Sequence, residues 1–221
     1  MTLGECLSLI CHRLPARTFS LNGRLMMLCS RCSGIYTGFL VGFAFQAIFG
    51  KKRTLLPPAS ITFTGLAFIG FMALQSVASP AFLSNSNPWR FTTGIFCGGS
   101  VSLFLFPVWN EYLFQKGERK PAIATWPSYL SLLGILCSIS LFSFSTVLKN
   151  QVVFQTLDYL SVVGVVVTYL TINTFLAALV SNWREKKKNF LSLIWLGLLV
   201  LSFFFLEFLL LYFNPLKGLL L

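Results

Sequence analysis

The residues of this chain whose types and spacing could do chemistry are Cys11, His12, Cys29 and Cys32. A Cys-x-x-Cys pair turns two sulfurs toward one point and makes half of a tetrahedral zinc site. The other half would come from the adjacent Cys11 and His12. Neighbouring side chains diverge by about 100° on a helix, so these two can converge only in a turn. Pro15 favours an irregular backbone just after them. Three readings stand side by side: a zinc-type divalent ion on the four residues, a disulfide or redox-active pair at Cys29 and Cys32, or inert buried thiols. The redox reading expects a lowered thiol pKa at Cys29 and Cys32, at a helix start near arginines. Haem attachment does not fit, because Ser33 stands where Cys-x-x-Cys-His needs its histidine.

Four arginines share this stretch: Arg13, Arg17, Arg24 and Arg31. A planar guanidinium suits a phosphate or carboxylate. Arg13, Arg17 and Arg90, with Asn87, Tyr36 and Gln75, are the candidate binding set for an anionic ligand, a lipid headgroup included. The competing reading has the arginines snorkelling to anionic headgroups. Glu207 is a candidate intramembrane acid, since a carboxylate in hydrocarbon needs a partner or a function. Gln46, Gln75 and Asn173 are read first as hydrogen-bonding residues between helices.

The elements that must position these residues are mostly hydrocarbon. The chain of 221 residues is 56% hydrophobic and 10% charged, with 24 phenylalanines. Soluble domains carry about 25% charged residues. A membrane span needs about 20 apolar residues, and six runs qualify: 34–50, 58–79, 91–110, 128–148, 158–181 and 191–213. The expected fold is an all-α bundle of about six transmembrane helices, capped by an N-terminal Cys/His and Arg-rich module over 1–33. Gly34, Gly38 and Gly42 form one column on the first span, and Gly94 and Gly98 another on the third, so these helices should approach closely. Asn87 and Arg90 should then lie beside the segment from Cys29 to Tyr36.

The formal charge of +11 belongs to topology rather than to nucleic acid. The aromatics lie inside the apolar runs, not interleaved with the arginines. Lys51, Lys52, Arg53, Lys116, Arg119, Lys120, Arg184, Lys186, Lys187 and Lys188 fall in the loops on one side. Arg90, Lys149 and Lys217 fall on the other. That bias expects the lysine-rich loops in the cytoplasm and the cysteine module outside the inner or plasma membrane. The four module arginines pull the opposite way. Residues 1–10 carry Glu5 as their lone charge, so no basic-start signal peptide is expected.

The first stretch also carries a resemblance. Cys11-His12-Arg13-x-Pro15-x-Arg17-Thr18-Phe19, Gly23, and Leu28-Cys29-x-Arg31-Cys32-Ser33-Gly34-Ile35-Tyr36-x-Gly38 resemble the signature of a family of predicted membrane proteins, domain of unknown function 2085. Asn87-x-x-Arg90-x-x-Thr93-Gly94 continues the match. Phe71 and Met72 stand where an Asp-Gly often precedes the glutamine that Gln75 resembles. The resemblance implies a prokaryotic multi-pass membrane protein and supplies no activity.

Several enzyme classes lack their motifs. There is no Gly-x-x-x-x-Gly-Lys-Ser/Thr, no His-Glu-x-x-His and no Gly-x-Ser-x-Gly. Three function classes are left: a metal-organised site with an arginine-lined anion pocket, a membrane thiol–disulfide protein, and a small-solute transporter. In the first, four protein ligands would make the metal structural, and three would leave a position to activate water.

Overall fold

The computed structural model describes residues 7, 10, 11, 14–50, 52–77, 86–113, 118–146, 150–180, 197, 200 and 201. The described chain is mostly helical. Its long helices are α1 (Ser30–Phe49), α2 (Ala59–Val77), α3 (Asn87–Leu113), α4 (Trp126–Thr146) and α5 (Gln151–Val180). Four of these, α1, α2, α3 and α5, are long and apolar enough to cross a membrane, and α4 holds a shorter apolar stretch, Trp126–Phe142. The expected sixth span, 191–213, lies outside the described residues except for Gly197, Val200 and Leu201, which are helical. Glu207 also lies outside them.

Three helices begin a full turn or more before their apolar runs. α1 starts at Ser30, so Arg31 and Cys32 belong to its first turn. α3 starts at Asn87, which puts Arg90 in its first turn, and it continues through Pro107. α5 starts at Gln151, which places Asp158 two turns inside rather than at the mouth. Apolar runs mark the hydrocarbon, whereas backbone hydrogen bonding carries a helix on into polar residues.

α3 is the most enclosed of the four candidate spans and α2 the least. α1 and α3 pack along their whole length in parallel, because both glycine columns lie in their interface. A Cβ on Gly34 would strike the Phe91 carbonyl, on Gly38 the Ile95 carbonyl, and on Gly98 the Ile35 carbonyl. Bare glycines are what allow the two backbones this near. Polar side chains fasten the helices further. Gln46, fully buried, donates from Nε2 to the Ser102 carbonyl at 2.9 Å and to Ser102 Oγ at 3.2 Å. The Thr93 hydroxyl donates to Gln75 Oε1 at 2.5 Å, tying α3 to α2. Thr92 and Ser140 hydroxyls, 2.6 Å apart, tie α3 to α4. The outward residues of α2 and α4 are large and apolar, among them Phe63, Phe71, Leu74, Leu141 and Phe142.

Each end of the bundle carries a short β pair. At the N-terminal end, β1 (Ser20–Leu21) and β2 (Arg24–Leu25) form an antiparallel hairpin. Its turn is Asn22-Gly23, with φ of 50° and 78°. Two successive left-handed residues define a primed turn, which Asn-Gly adopts at little cost. At the other end β3 (Arg53–Leu55) pairs in parallel with β4 (Glu118–Pro121).

Candidate metal centre

The hairpin is what brings the cysteines together. After Cys11 the chain makes a 3-10 turn over Pro15–Arg17, runs out along β1 and returns along β2. Phe19, Met26 and Leu28 are buried and hold this segment down. The Phe19 ring sits edge-on against Phe91 of α3, 6.0 Å between centroids. Asn87 Nδ2 donates to the Thr18 carbonyl at 3.2 Å. The returning strand delivers Cys29 as the N-cap of α1, in extended backbone. Cys32 follows one turn later on the same face.

The Sγ atoms of Cys11, Cys29 and Cys32 lie within 4.8 Å of one another. Tetrahedral geometry with Zn–S bonds of about 2.3 Å puts sulfurs about 3.8 Å apart. Modest closure of the cluster reaches that spacing. The Cys29 backbone N–H donates to Cys11 Sγ at 3.2 Å. Such a bond steadies a sulfur that carries negative charge. Cys11 is buried, and Cys29 and Cys32 are half-buried. The Cys29 thiol is pushed above its ordinary pKa, first by its hydrogen bond with Cys11, with burial adding to the rise. This corrects the expectation of a lowered thiol at this helix start. His12 and Arg13 lie outside the described residues.

The cluster rests on α5. Leu7, Leu28 and Val165 form a small apolar core, with Val162, Tyr169, Tyr36 and the cysteines packed on it. Asp158 of α5, 2% exposed, accepts a hydrogen bond from the Met27 backbone N–H at 2.7 Å. Tyr36, one turn beyond Cys32, hydrogen-bonds Tyr169 of α5. Tyr36 and Gln75 therefore join helices, the first to α5 and the second to α3.

Arg90 is 9% exposed and lies within electrostatic reach of Arg17, Arg31 and Cys29. The Cα of Gly94, one turn on, faces the Arg31 carbonyl, which an added Cβ would meet at 2.5 Å. The arginines therefore gather beside the cysteines, where α1 and α3 both begin. Asp158 and Arg31 were not singled out as site residues by their types. Asp158 sits in an apolar run with no motif around it. For the hairpin there was a usable signal, the Asn22-Gly23 dipeptide.

A family model described as "Predicted membrane protein (DUF2085)" matches residues 11–104. An uncharacterized protein of Methanocaldococcus jannaschii is 36% identical over 110 residues, covering 49% of this chain and 69% of that protein. An uncharacterized protein of Methanothermobacter thermautotrophicus is 35% identical over 94 residues, covering 40% of this chain and 78% of that one. No solved structure matches. The family match spans the cysteine cluster and most of the contact between α1 and α3, ending before Phe106 and Trp109, which pack on Phe43. With its apolar helices and this N-terminal half, the chain belongs to the DUF2085 family of predicted membrane proteins.

Proposed function

We propose that residues 1–33 are a module folded around one zinc-type divalent ion, and that this module caps a multi-pass membrane bundle and binds an anionic ligand there. The observation that carries the reading is the approach of three sulfurs, from Cys11, Cys29 and Cys32, to within 4.8 Å. His12, next to Cys11 in the chain, is the proposed fourth ligand. Four protein ligands would make the ion structural, holding the hairpin and the start of α1 in one body. The third sulfur, from Cys11, supports metal over disulfide exchange, because an exchanging pair needs two cysteines whereas a thiolate metal site gathers three or four ligands.

The anion-binding part rests on Arg13, Arg17 and Arg90, with Asn87 bracing the Arg17–Thr18 turn against α3. A lipid headgroup is one candidate, given a bilayer around the helices. Metal analysis of the purified protein tests the central claim. About one zinc per chain is expected, falling to background in Cys29→Ser. Equal metal in the two proteins would refute it.

A further inference from the structure

We propose that Arg17, Arg31 and Arg90 form a site for a phosphate group at the end of the bundle where α1 and α3 begin, beside the cysteine cluster. This deepens the anion-binding reading above and rests on it. It adds Arg31 and names the ligand chemistry.

The three residues reach one place by separate routes. Arg17 ends the 3-10 turn, and its neighbour Thr18 is held by Asn87, three residues before Arg90. Arg31 lies in the first turn of α1, its carbonyl against Gly94 of α3. Arg90 lies in the first turn of α3 and is almost enclosed. The charges of Arg17 and Arg31 both act on it.

Arginine cannot shed its charge, so the cluster cannot relieve itself by deprotonation. Among the described residues neither Arg17 nor Arg31 is ion-paired; the ion pair there is Lys120 with Glu118, at the other end. Arg31 Nε is buried and makes no hydrogen bond. A buried guanidinium N–H without an acceptor is destabilising, because its lost hydration is not replaced, so an acceptor belongs there. The parallel N-termini of α1 and α3 add partial positive charge at the same end. A metal held by three thiolates would be monoanionic and would offset part of this charge.

The number of donors selects the ligand. A carboxylate has two oxygens and suits one guanidinium fork. Three guanidiniums from three segments need three or more acceptor oxygens around one centre, which a phosphate group offers. Such a group could belong to a lipid headgroup or to free phosphate.

The test uses full-length protein purified with its metal in nanodiscs of a phosphate-free galactolipid, so that no bulk headgroup phosphate competes. One arm titrates inorganic phosphate calorimetrically. The other adds phosphatidic acid to the nanodiscs and counts lipid retained per chain by native mass spectrometry. Saturable binding at one site is expected in at least one arm, and the arm that responds names the source. Arg17→Gln and Arg31→Gln should each weaken it by about tenfold or more, as loss of a charged hydrogen bond does. Arg24→Gln, on the exposed hairpin strand, should not. Arg17 is exposed, so its variant should fold even if Arg31→Gln does not. Absence of binding in both arms overturns the proposal, and so does undiminished binding in Arg17→Gln. Metal is counted in the same samples. Metal without phosphate binding defeats this inference alone; phosphate binding without metal defeats the metal reading alone.

Discussion

Asp158 accepts the backbone N–H of Met27 at 2.7 Å, across 131 residues of chain. The carboxylate is buried on α5, and Met27 lies two residues before Cys29. This bond, with Val162, Val165 and Tyr169 beneath the cysteines, fixes the returning strand on the bundle. A distant helix thus sets where the Cys-x-x-Cys knuckle stands.

Asp158→Ala should therefore weaken the metal centre without touching a ligand. Loss of a positioning bond of this kind costs about 10–100-fold in metal affinity. Asp158→Asn keeps an acceptor oxygen and should lose less. Zinc competition against a chelator reads both. Wild-type affinity in Asp158→Ala would show that the bond does not position the site.

Much of this was legible in the residues, and the reasons differ by element. The four long apolar helices among the described residues followed from hydropathy, since lipid accepts only long apolar helices. The α1–α3 contact followed from glycines four apart, because a missing Cβ is a direct steric statement. Helix starts were less legible: Arg31 and Arg90 are polar, yet each sits in a first turn. The partner of Asp158 could not be read at all. A backbone N–H is present at every residue but proline, so its choice of acceptor leaves no mark in sequence. The β3–β4 pair was missed for a related reason, being short and charged.

Glycine substitutions should separate close approach from mere smallness. Gly98→Ala would drive a methyl into the Ile35 carbonyl. Overpacking of that kind costs about 1–3 kcal/mol. Gly134 of α4 has nothing within 4 Å of an added Cβ. Gly134→Ala should be neutral or stabilising by about 0.5–1 kcal/mol. Thermal unfolding in detergent would rank them; equal midpoints would contradict the packed interface.

Acid should strip the metal. The Cys29 thiol is held above its ordinary pKa by Cys11 and by burial, so the metal-free site keeps its proton at neutral pH. Metal uptake must displace it. Affinity should fall by about tenfold per pH unit for each thiol proton displaced, and proton release should accompany binding. Zinc affinity measured between pH 8 and pH 6 checks the sign. A flat profile would mean the thiols are not the ligands.

The pair Thr93 and Gln75 offers a test of how α2 is held. Thr93→Val and Gln75→Leu each remove one partner of a buried bond. Measured couplings of this type in membranes average about 0.6 kcal/mol. A double-mutant cycle in detergent should return a coupling of that size. Strict additivity would mean that α2 is held by apolar packing alone.

The last prediction concerns which side of the membrane the cysteines face. Arg53–Leu55 pairs with Glu118–Pro121, and the Arg53 guanidinium donates to the Pro121 carbonyl at 3.3 Å. Asn110 Nδ2 donates to the Arg53 carbonyl at 2.9 Å. The two basic loops are therefore one surface, with Lys52, Arg119 and Lys120 exposed on it. Parallel α1 and α3 both run from the cysteine end to this end. The positive-inside rule then predicts the β3–β4 surface in the cytoplasm and the cysteine cluster outside. A Lys120→Cys variant, in a background with all six native cysteines replaced by serine, should label with an impermeant maleimide in inverted vesicles alone. Ser20→Cys, exposed on the hairpin, should label in right-side-out vesicles alone. The reverse pattern would put Arg17, Arg24 and Arg31 on the cytoplasmic side. Those arginines would then obey the same rule as topology determinants, and any phosphate that they bind would come from the cell interior.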